Sequence, residues 1–367
     1  MLNHKHQQGG QKMIRYSIPS VGSTLKLERT CPHCNRPNGN IHSAIQYRHI
    51  SDIKISAIPQ RRLKCPFCKA TWTVRAEGVG DGRHRTDRLI LIGVVLYMFG
   101  LSYRKVEDFL PLLGCGGSKS GVERDVADGG QKAGTLHYNA PRLRVRVLGV
   151  DGTGAAMAGR NAGLLFFVDV DRGKLICVEP VNERDAEKVR RHVRDVMAAV
   201  GAEQLRTDEL SVYKGIVGQG CHTICLAHWR KSKVRRAYEL YRQLKAEGME
   251  FEAGDMLRLV EHLKAEPRPP NLPEDVEKLV RRYINCHKGT LWKANQLLQH
   301  IERTWEQVGS GEGDRTNNTT ERLIGLDYKI RVKTMRGIKA TDKAVNHCYL
   351  SDYLRGENGV CDLRKVV

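Results

Sequence analysis

The sequence predicts an α/β protein in which a helical insertion interrupts a mixed sheet, with a zinc-ribbon module and a helix-turn-helix ahead of it. Three observations carry this expectation. Two matched knuckles, Cys31-Pro-His-Cys34 and Cys65-Pro-Phe-Cys68, bracket strand-like segments near the N-terminus. Three amphipathic helical segments joined by short turns come next. From residue 142 the apolar pattern reads strand, strand, strand, helix, strand, helix, strand.

Residues 1–24 are polar and basic and read as a flexible arm. Residues 25–80 form the zinc-ribbon-like module. Cys31, Cys34, Cys65 and Cys68 place four thiolates around one structural Zn²⁺, which suits a module too small to fold on its own core. Ile41–Ile45 and Asp52–Ile58 read as strands in the gap. A redox C-x-x-C pair is the rival, disfavoured by two matched copies; His33 reads as a bystander.

Residues 84–135 read as the helix-turn-helix. An apolar helix spans about Thr86–Phe99, and Ser102 caps a second with Val106, Phe109, Leu110 and Leu113 on one face. After the turn Gly114-Cys-Gly-Gly117, Ser120 opens a third helix with Glu123 at the reciprocal capping position. Lys119 and Arg124 are its candidate DNA contacts, although Glu123, Asp125 and Asp128 leave its face hardly basic. A plain three-helix linker is the competing reading.

Residues 142–229 change grammar. Arg144–Val150 reads as a strand ending at Asp151-Gly152-Thr153, and Leu164–Val170 and Lys174–Val178 as two more joined by a hairpin turn. A helix follows Asn182, with Val189, Val193, Met197 and Val200 on one stripe and Gly201 as its stop. Gln204–Thr207 is a strand ending at Asp208, Glu209–Val217 a candidate helix, and His222–Leu226 another strand. That order matches the ribonuclease H-like fold. Residues 230–308 are helical and charged, an insertion; 309–345 complete the sheet domain with a helix over about Thr319–Ile330, and 346–367 read as a C-terminal tail.

Charge narrows the partner. The chain has 367 residues, with 61 Lys+Arg against 41 Asp+Glu, a net +20. Residues 1–100 hold 16 basic and 5 acidic residues, so a net +11 sits in the first quarter. A polyanion is the expected partner, double-stranded DNA foremost. The rival is a merely solubilising surface. With 40% hydrophobic residues the chain is not wholly disordered. The longest apolar run, Leu89–Gly100, is too short for a bilayer, and no signal peptide or membrane partner is expected. Eleven cysteines without such a signal suit thiols and metal rather than disulfides, hence a cytoplasmic protein.

Three acids stand out: Asp151 and Asp208 at the ends of strands predicted to be neighbours, and Glu321 in the first turn of the late helix. Clustered carboxylates repel unless cations lie between them, and oxygen ligands suit Mg²⁺ or Mn²⁺. Two such ions would activate a water or a 3′-hydroxyl for phosphodiester chemistry. Each acid also has an ordinary explanation: a turn at Asp151-Gly152, a helix cap at Asp208, a capping box at Asn318-Thr-Thr-Glu321.

The strings Gly149-Val-Asp-Gly-Thr153, Arg206-Thr-Asp-Glu209, Cys225-Leu-Ala-His228 and Asn317-Asn-Thr-Thr-Glu321-Arg322, in that order, resemble DDE transposases of bacterial insertion sequences, above all the branch related to Mutator-like elements. The 112 residues between Asp208 and Glu321 leave room for that branch's helical insertion. The resemblance implies that Asp151, Asp208 and Glu321 hold two Mg²⁺ ions, that Cys225 and His228 buttress the active site, and that the chain works as a homo-oligomer on DNA, binding element ends and joining them to a target. Cys221, His222, Cys225 and His228 as a second zinc site is an alternative. Two basic runs are further candidate DNA contacts: Arg230, Lys231, Lys233, Arg235 and Arg236, then Lys329, Arg331, Lys333, Arg336 and Lys339. Trp229 reads as a core anchor rather than a stacking platform. A non-catalytic DNA-binding regulator and a nuclease that only hydrolyses compete with the transposase.

Overall fold

The computed structural model describes residues 14–140, 142, 144–157, 160–218, 220–265, 269, 271–308, 318–329, 338, 340–356 and 360–367. In chain order the elements are β1 (Arg15–Ser17), β2 (Asn40–Ile41), β3 (Gln46–His49), β4 (Ala57–Lys64), β5 (Thr71–Arg75), α1 (Asp87–Met98), α2 (Tyr103–Phe109) and α3 (Lys119–Asn139). Then come β6 (Val147–Met157), β7 (Arg160–Asp169), β8 (Lys174–Glu179), α4 (Ala186–Val200), β9 (Gln204–Thr207) and β10 (His222–Ile224). The chain closes with α5 (Leu226–Ala246), α6 (Glu250–Lys264), α7 (Glu274–Tyr283), α8 (Gly289–Thr304), α9 (Asn318–Ile324), α10 (Thr341–Leu354) and β11 (Val360–Asp362). They fall into two compact units, residues 1–140 with 327–367, and residues 141–326. No helix among the described residues is long and apolar enough to cross a membrane.

The first unit holds the cysteine module and the three predicted helices. β4 is the centre of its sheet: β3 and then β2 pair along one edge, β5 along the other, all antiparallel. The expected strands at 41–45 and 52–58 are displaced, because Asp52 accepts hydrogen bonds from Lys54 and Ile55 N–H and bends 52–55 into a turn. Thr86 and Ser102 cap α1 and α2 as expected. The third helix is capped by Ser118, whose Oγ accepts from Gly121 N–H, and not by Ser120. Glu123 pairs with Lys343 instead of closing a capping box.

The C-terminal segment expected as a tail is folded into this unit. α10 packs on α3, and β11 pairs in parallel with β1, inside the expected flexible arm. The approach of α3 and α10 explains Gly130 and Gly134 of α3. A Cβ on Gly130 would lie 2.6 Å from Asn346 Cβ, a distance that real Cβ atoms do not show.

The second unit is built on a five-stranded mixed sheet of order β10-β9-β6-β7-β8. β6, β7 and β8 are antiparallel; β9 runs parallel to β6, and β10 parallel to β9. α4 lays Val189, Val193, Met197 and Val200 against Leu148, Val150, Leu165 and Phe167 of the sheet. Each such side chain contributes about 1.5–3 kcal/mol by burial. Two local expectations differ. β6 does not end at Asp151 but runs on to Met157, because β7 pairs with it along its whole length. The expected helix over Glu209–Val217 shrinks to a 3-10 turn, Ser211–Tyr213. Asp208 accepts from Leu210 N–H in an Asx-turn, and Gly215 at φ +72° turns the chain left-handed.

The insertion, α5 to α8, has a core of its own that includes Trp229, Leu240, Met256, Leu259, Val280 and Leu298. Trp229 is the core anchor the sequence suggested: it is fully buried, stands edge-on to Trp305 at 5.6 Å, and donates from Nε1 to Thr304 Oγ1 at 2.9 Å. Asp255, equally buried, is compensated by Arg258, Arg282 and the Tyr283 hydroxyl.

Candidate metal centres

The cysteine module brings Cys31, Cys34, Cys65 and Cys68 together, with all four sulfurs within 4.8 Å of one another. Cys31 and Cys68 Sγ lie 3.6 Å apart, as do Cys34 and Cys65. A tetrahedron with Zn–S bonds of about 2.3 Å has edges of roughly 3.8 Å, so the cage fits zinc without rearrangement. The two knuckles fold alike. Cys31 N–H donates to Arg36 O and Cys65 N–H to Ala70 O, and the residue after each second cysteine, Asn35 and Lys69, is left-handed. Against desolvation, the backbone N–H groups of Cys68 and Phe67 bring the Cys65 thiol down to about 6. A thiolate held there is ready for a cation. The Cys₄ set can hold a structural zinc.

At the sheet of the second unit, Asp151 and Asp208 come side by side because β6 and β9 are parallel neighbours. Gly149 is in register with Arg206, so the residues two further along each chain share a level. Glu183 joins them, and the three carboxylates present oxygens within 4.8 Å of one another. Asp151 is 8% exposed. Glu183 sits in the loop between β8 and α4, and that loop is pressed onto the β6–β7 hairpin. A Cβ on Gly152 would fall 2.1 Å from Glu183 Cδ, so only glycine leaves the carboxylate its place. The buried Tyr213 hydroxyl donates to Glu183 Oε1. Burial and the nearby Glu183, Asp208 and Asp151 charges raise the Tyr213 pKa, which keeps it a donor. Burial raises the Asp208 pKa, and the negative charges of Glu183 and Glu209 add to it. The three carboxylates together can hold a divalent metal.

Glu321 lies in a second group with Cys225 and His228, their ligand atoms also within 4.8 Å of one another. Cys225 caps α5, His228 stands in its first turn, and His228 Nε2 is 2.8 Å from Glu321 Oε1. Hydrogen bonding to the Cys225 thiol, and the charges of Cys225, Glu321 and Asp151, outweigh desolvation and push His228 up to about 9. His228 in turn lowers the Asp208 carboxyl, so the two groups are electrostatic neighbours. The alternative zinc set with Cys221 and His222 does not form: His222 Nε2 meets Thr207 Oγ1 at 2.9 Å, and Cys221 is exposed.

Of the sequence-predicted site residues, Asp151 and Asp208 meet each other and Cys225, His228 and Glu321 meet one another. Glu183 and Tyr213 were not anticipated. The only trace of Glu183 in the sequence is a polar Asn182-Glu-Arg-Asp185 stretch after the third strand, a pattern common to many helix starts. Among the expected DNA contacts, Lys233 is a correction. It is 7% exposed and pairs with Glu209 at 2.6 Å, while His300 holds the other Glu209 oxygen. Arg235 and Arg236 pair with Glu239, and Arg230 is half-buried with a guanidinium N–H toward Ala265 O. Lys119, Arg124, Lys231 and Lys329 are exposed. Arg331, Lys333, Arg336 and Lys339 lie outside the described residues.

No protein-family model matches the chain, and no curated protein is detectably similar to it.

Proposed function

We propose that the chain is a DDE-type transposase that binds the ends of a mobile element and cuts and joins DNA with divalent metal. The observation that carries this is the meeting of Asp151 and Asp208, far apart in sequence, on parallel neighbouring strands, with a third carboxylate within 4.8 Å. The sheet supports it too. Numbered from β6, its strand order is 3-2-1-4-5, with the first three antiparallel and the last two parallel to the first, as in the ribonuclease H-like fold. A four-helix insertion lies between Asp208 and Glu321, as in the branch that the motifs resemble.

Asp151, Asp208 and Glu183 would hold the cations, with Tyr213 fixing Glu183 by its hydrogen bond. Bound Mg²⁺ or Mn²⁺ would supply an activated water or 3′-hydroxyl and charge neutralisation at the departing oxygen. Glu321 lies in the separate group with Cys225 and is held by His228, whose ring is kept charged by the Cys225 sulfur and the carboxylates. In this reading Cys225 and His228 are positioning residues for Glu321.

The test is cleavage of labelled DNA carrying the ends of the element that encodes the chain. Mg²⁺-dependent strand cleavage is expected from the native protein and a loss of orders of magnitude from Asp151→Asn, with DNA binding retained. Joining of a labelled 3′-hydroxyl end to a second duplex separates a transposase from a nuclease that only hydrolyses. Cleavage by Asp151→Asn at the native rate would refute the assignment, and a native protein that binds DNA but never cuts it would leave a regulator.

A further inference from the structure

We infer that one face of the β2–β5 sheet is a binding surface for the phosphate backbone of duplex DNA. This rests on the proposed action on DNA and says which part of the first unit engages it. The cross-strand register sorts the side chains, because residues paired across neighbouring strands project to the same face. Arg48 is paired with Ile58, Gln46 and Arg75 with Gln60, and Arg62 and Lys64 continue the same alternation along β4. The opposite face carries Pro59, Leu63 and Trp72, with Trp72 packed against Gly39 beside the first knuckle. Leu63 is fully buried on that face, although Tyr47 and Ile41 of the same face are exposed.

The other carries no acid on its strands and is open toward Lys64, while at its far end Ile58 is buried against Ile50 and Ala76. Arg62, Lys64 and Gln46 are exposed, and Gln60, Arg48 and Arg75 are half-buried. No residue of β2, β3, β4 or β5 is acidic. Among the described residues, the one carboxylate paired with this set is Asp81, which pairs with Arg75, while Arg48 Nη2 lies 3.4 Å from His84 Nδ1. From the level of Gln60 to Lys64 the row extends about 13 Å along β4. One strand of a duplex presents a phosphate about every 3.4 Å of axis, so the row can meet several.

The chemistry of the face decides the kind of nucleic acid. Unpaired bases are held by aromatic platforms. The aromatic residues of these strands, Tyr47 and Trp72, are on the opposite face. What remains is a flat array of Arg, Lys and Gln donors, which suits phosphate oxygens rather than splayed bases. In contrast, the exposed charges of α3 are mixed: Lys119 and Arg124 share the helix with Glu123 and Asp128.

The probe is a labelled 20-base-pair duplex of arbitrary sequence, titrated with the full-length protein at several salt concentrations. Arg62→Ala/Lys64→Ala should lower the slope of log affinity against log salt by about 2 and weaken binding roughly tenfold or more. Arg62→Gln/Lys64→Gln should do the same, and unchanged zinc content in both would show the module folded. Lys278→Ala/Arg281→Ala, the same change in formal charge on residues already paired with Glu274 and Glu277, should leave the slope alone. A native slope in both Arg62/Lys64 variants, with duplex still bound, would overturn this inference while leaving the transposase reading intact. Tighter binding of the corresponding single strand than of the duplex would overturn it as well. A native protein that binds no duplex at all would remove both.

Discussion

Asp208→Asn separates a metal ligand from a helix cap by the sign of its effect on stability. With all three carboxylates charged and their oxygens no more than 4.8 Å apart, each pair repels by at least roughly 3 kcal/mol at an effective dielectric constant near 20. Replacing Asp208 by Asn removes two of the three pairs and keeps a side-chain oxygen for Leu210 N–H. The native protein relieves part of this repulsion by protonation, since the Asp208 pKa is raised above its ordinary 3.8 by burial and by Glu183. A carboxyl with a raised folded pKa favours the fold below its unfolded pKa, and that contribution is lost as pH rises through the folded pKa. The variant should therefore be more stable than the native protein in chelator, by roughly 1–3 kcal/mol at pH 8 and by less at pH 5. At about 2–4 °C per kcal/mol for a unit of this size, thermal melts resolve it. Millimolar Mn²⁺ should reverse the order: a cation at 100 times its Kd adds about 2.7 kcal/mol to the native protein and much less to the variant. A variant that melts below the native protein in chelator at both pH values, and an absence of any Mn²⁺ effect on the native protein, would reduce Asp208 to a cap.

Three further expectations follow from other parts of the molecule. Purified protein should contain one Zn²⁺ per chain, and elemental analysis of Cys65→Ser should find it lost together with the fold of the first module, since no other donor among the described residues joins the four sulfurs. Gly152→Ala changes no charge but drives a Cβ into Glu183; melting should fall by about 1–3 kcal/mol as the Tyr213 hydrogen bond is lost, and Mn²⁺ affinity should drop about tenfold, whereas unchanged affinity would take Glu183 out of the cation site. Glu321→Gln should keep the fold, abolish cleavage, and lower the His228 pKa from about 9, read by NMR titration of the imidazole; because that pKa is raised on folding, the ion pair stabilises fully below the unfolded value near 6.5 and is lost as pH rises through about 9.

How much of this was legible in the sequence differs from element to element for physical reasons. α1, α2, α4 and β9 were readable because their caps and apolar periods are local: Thr86, Ser102 and Gly201 mark ends by hydrogen bonds and dihedral angles that need no partner from elsewhere. The pairing of Asp151 with Asp208 was readable through strand order alone. The α3–α10 contact was not, since Gly130 and Gly134 of α3 lower helix propensity and acquire meaning only when a second helix arrives from the far end of the chain. The same holds at Asp151-Gly152. Locally the pair reads as a turn, and in the fold the glycine is the space in which Glu183 sits.

In the basic run after His228 the helical period separates Lys233 from its exposed neighbours. Arg230 to Arg236 looked like a solvated cluster because its charges are contiguous, but α5 buries Trp229, Lys233, Ala237, Leu240 and Leu244 on one stripe at helical spacing. Lys233 belongs to that stripe, and its ammonium is satisfied by Glu209, the residue next to Asp208. A lysine buried on an apolar stripe needs a buried acid, so the helical period itself, applied to the charged positions as well as the apolar ones, points to a partner inside the fold rather than to a phosphate. Glu209 is thereby fixed by α5 through Lys233 and by α8 through His300, and the first residues after β9 are tied to the insertion. The insertion thus does more than lengthen the chain between Asp208 and Glu321. It anchors the strand end that presents Asp208, and its first helix supplies the histidine that holds Glu321.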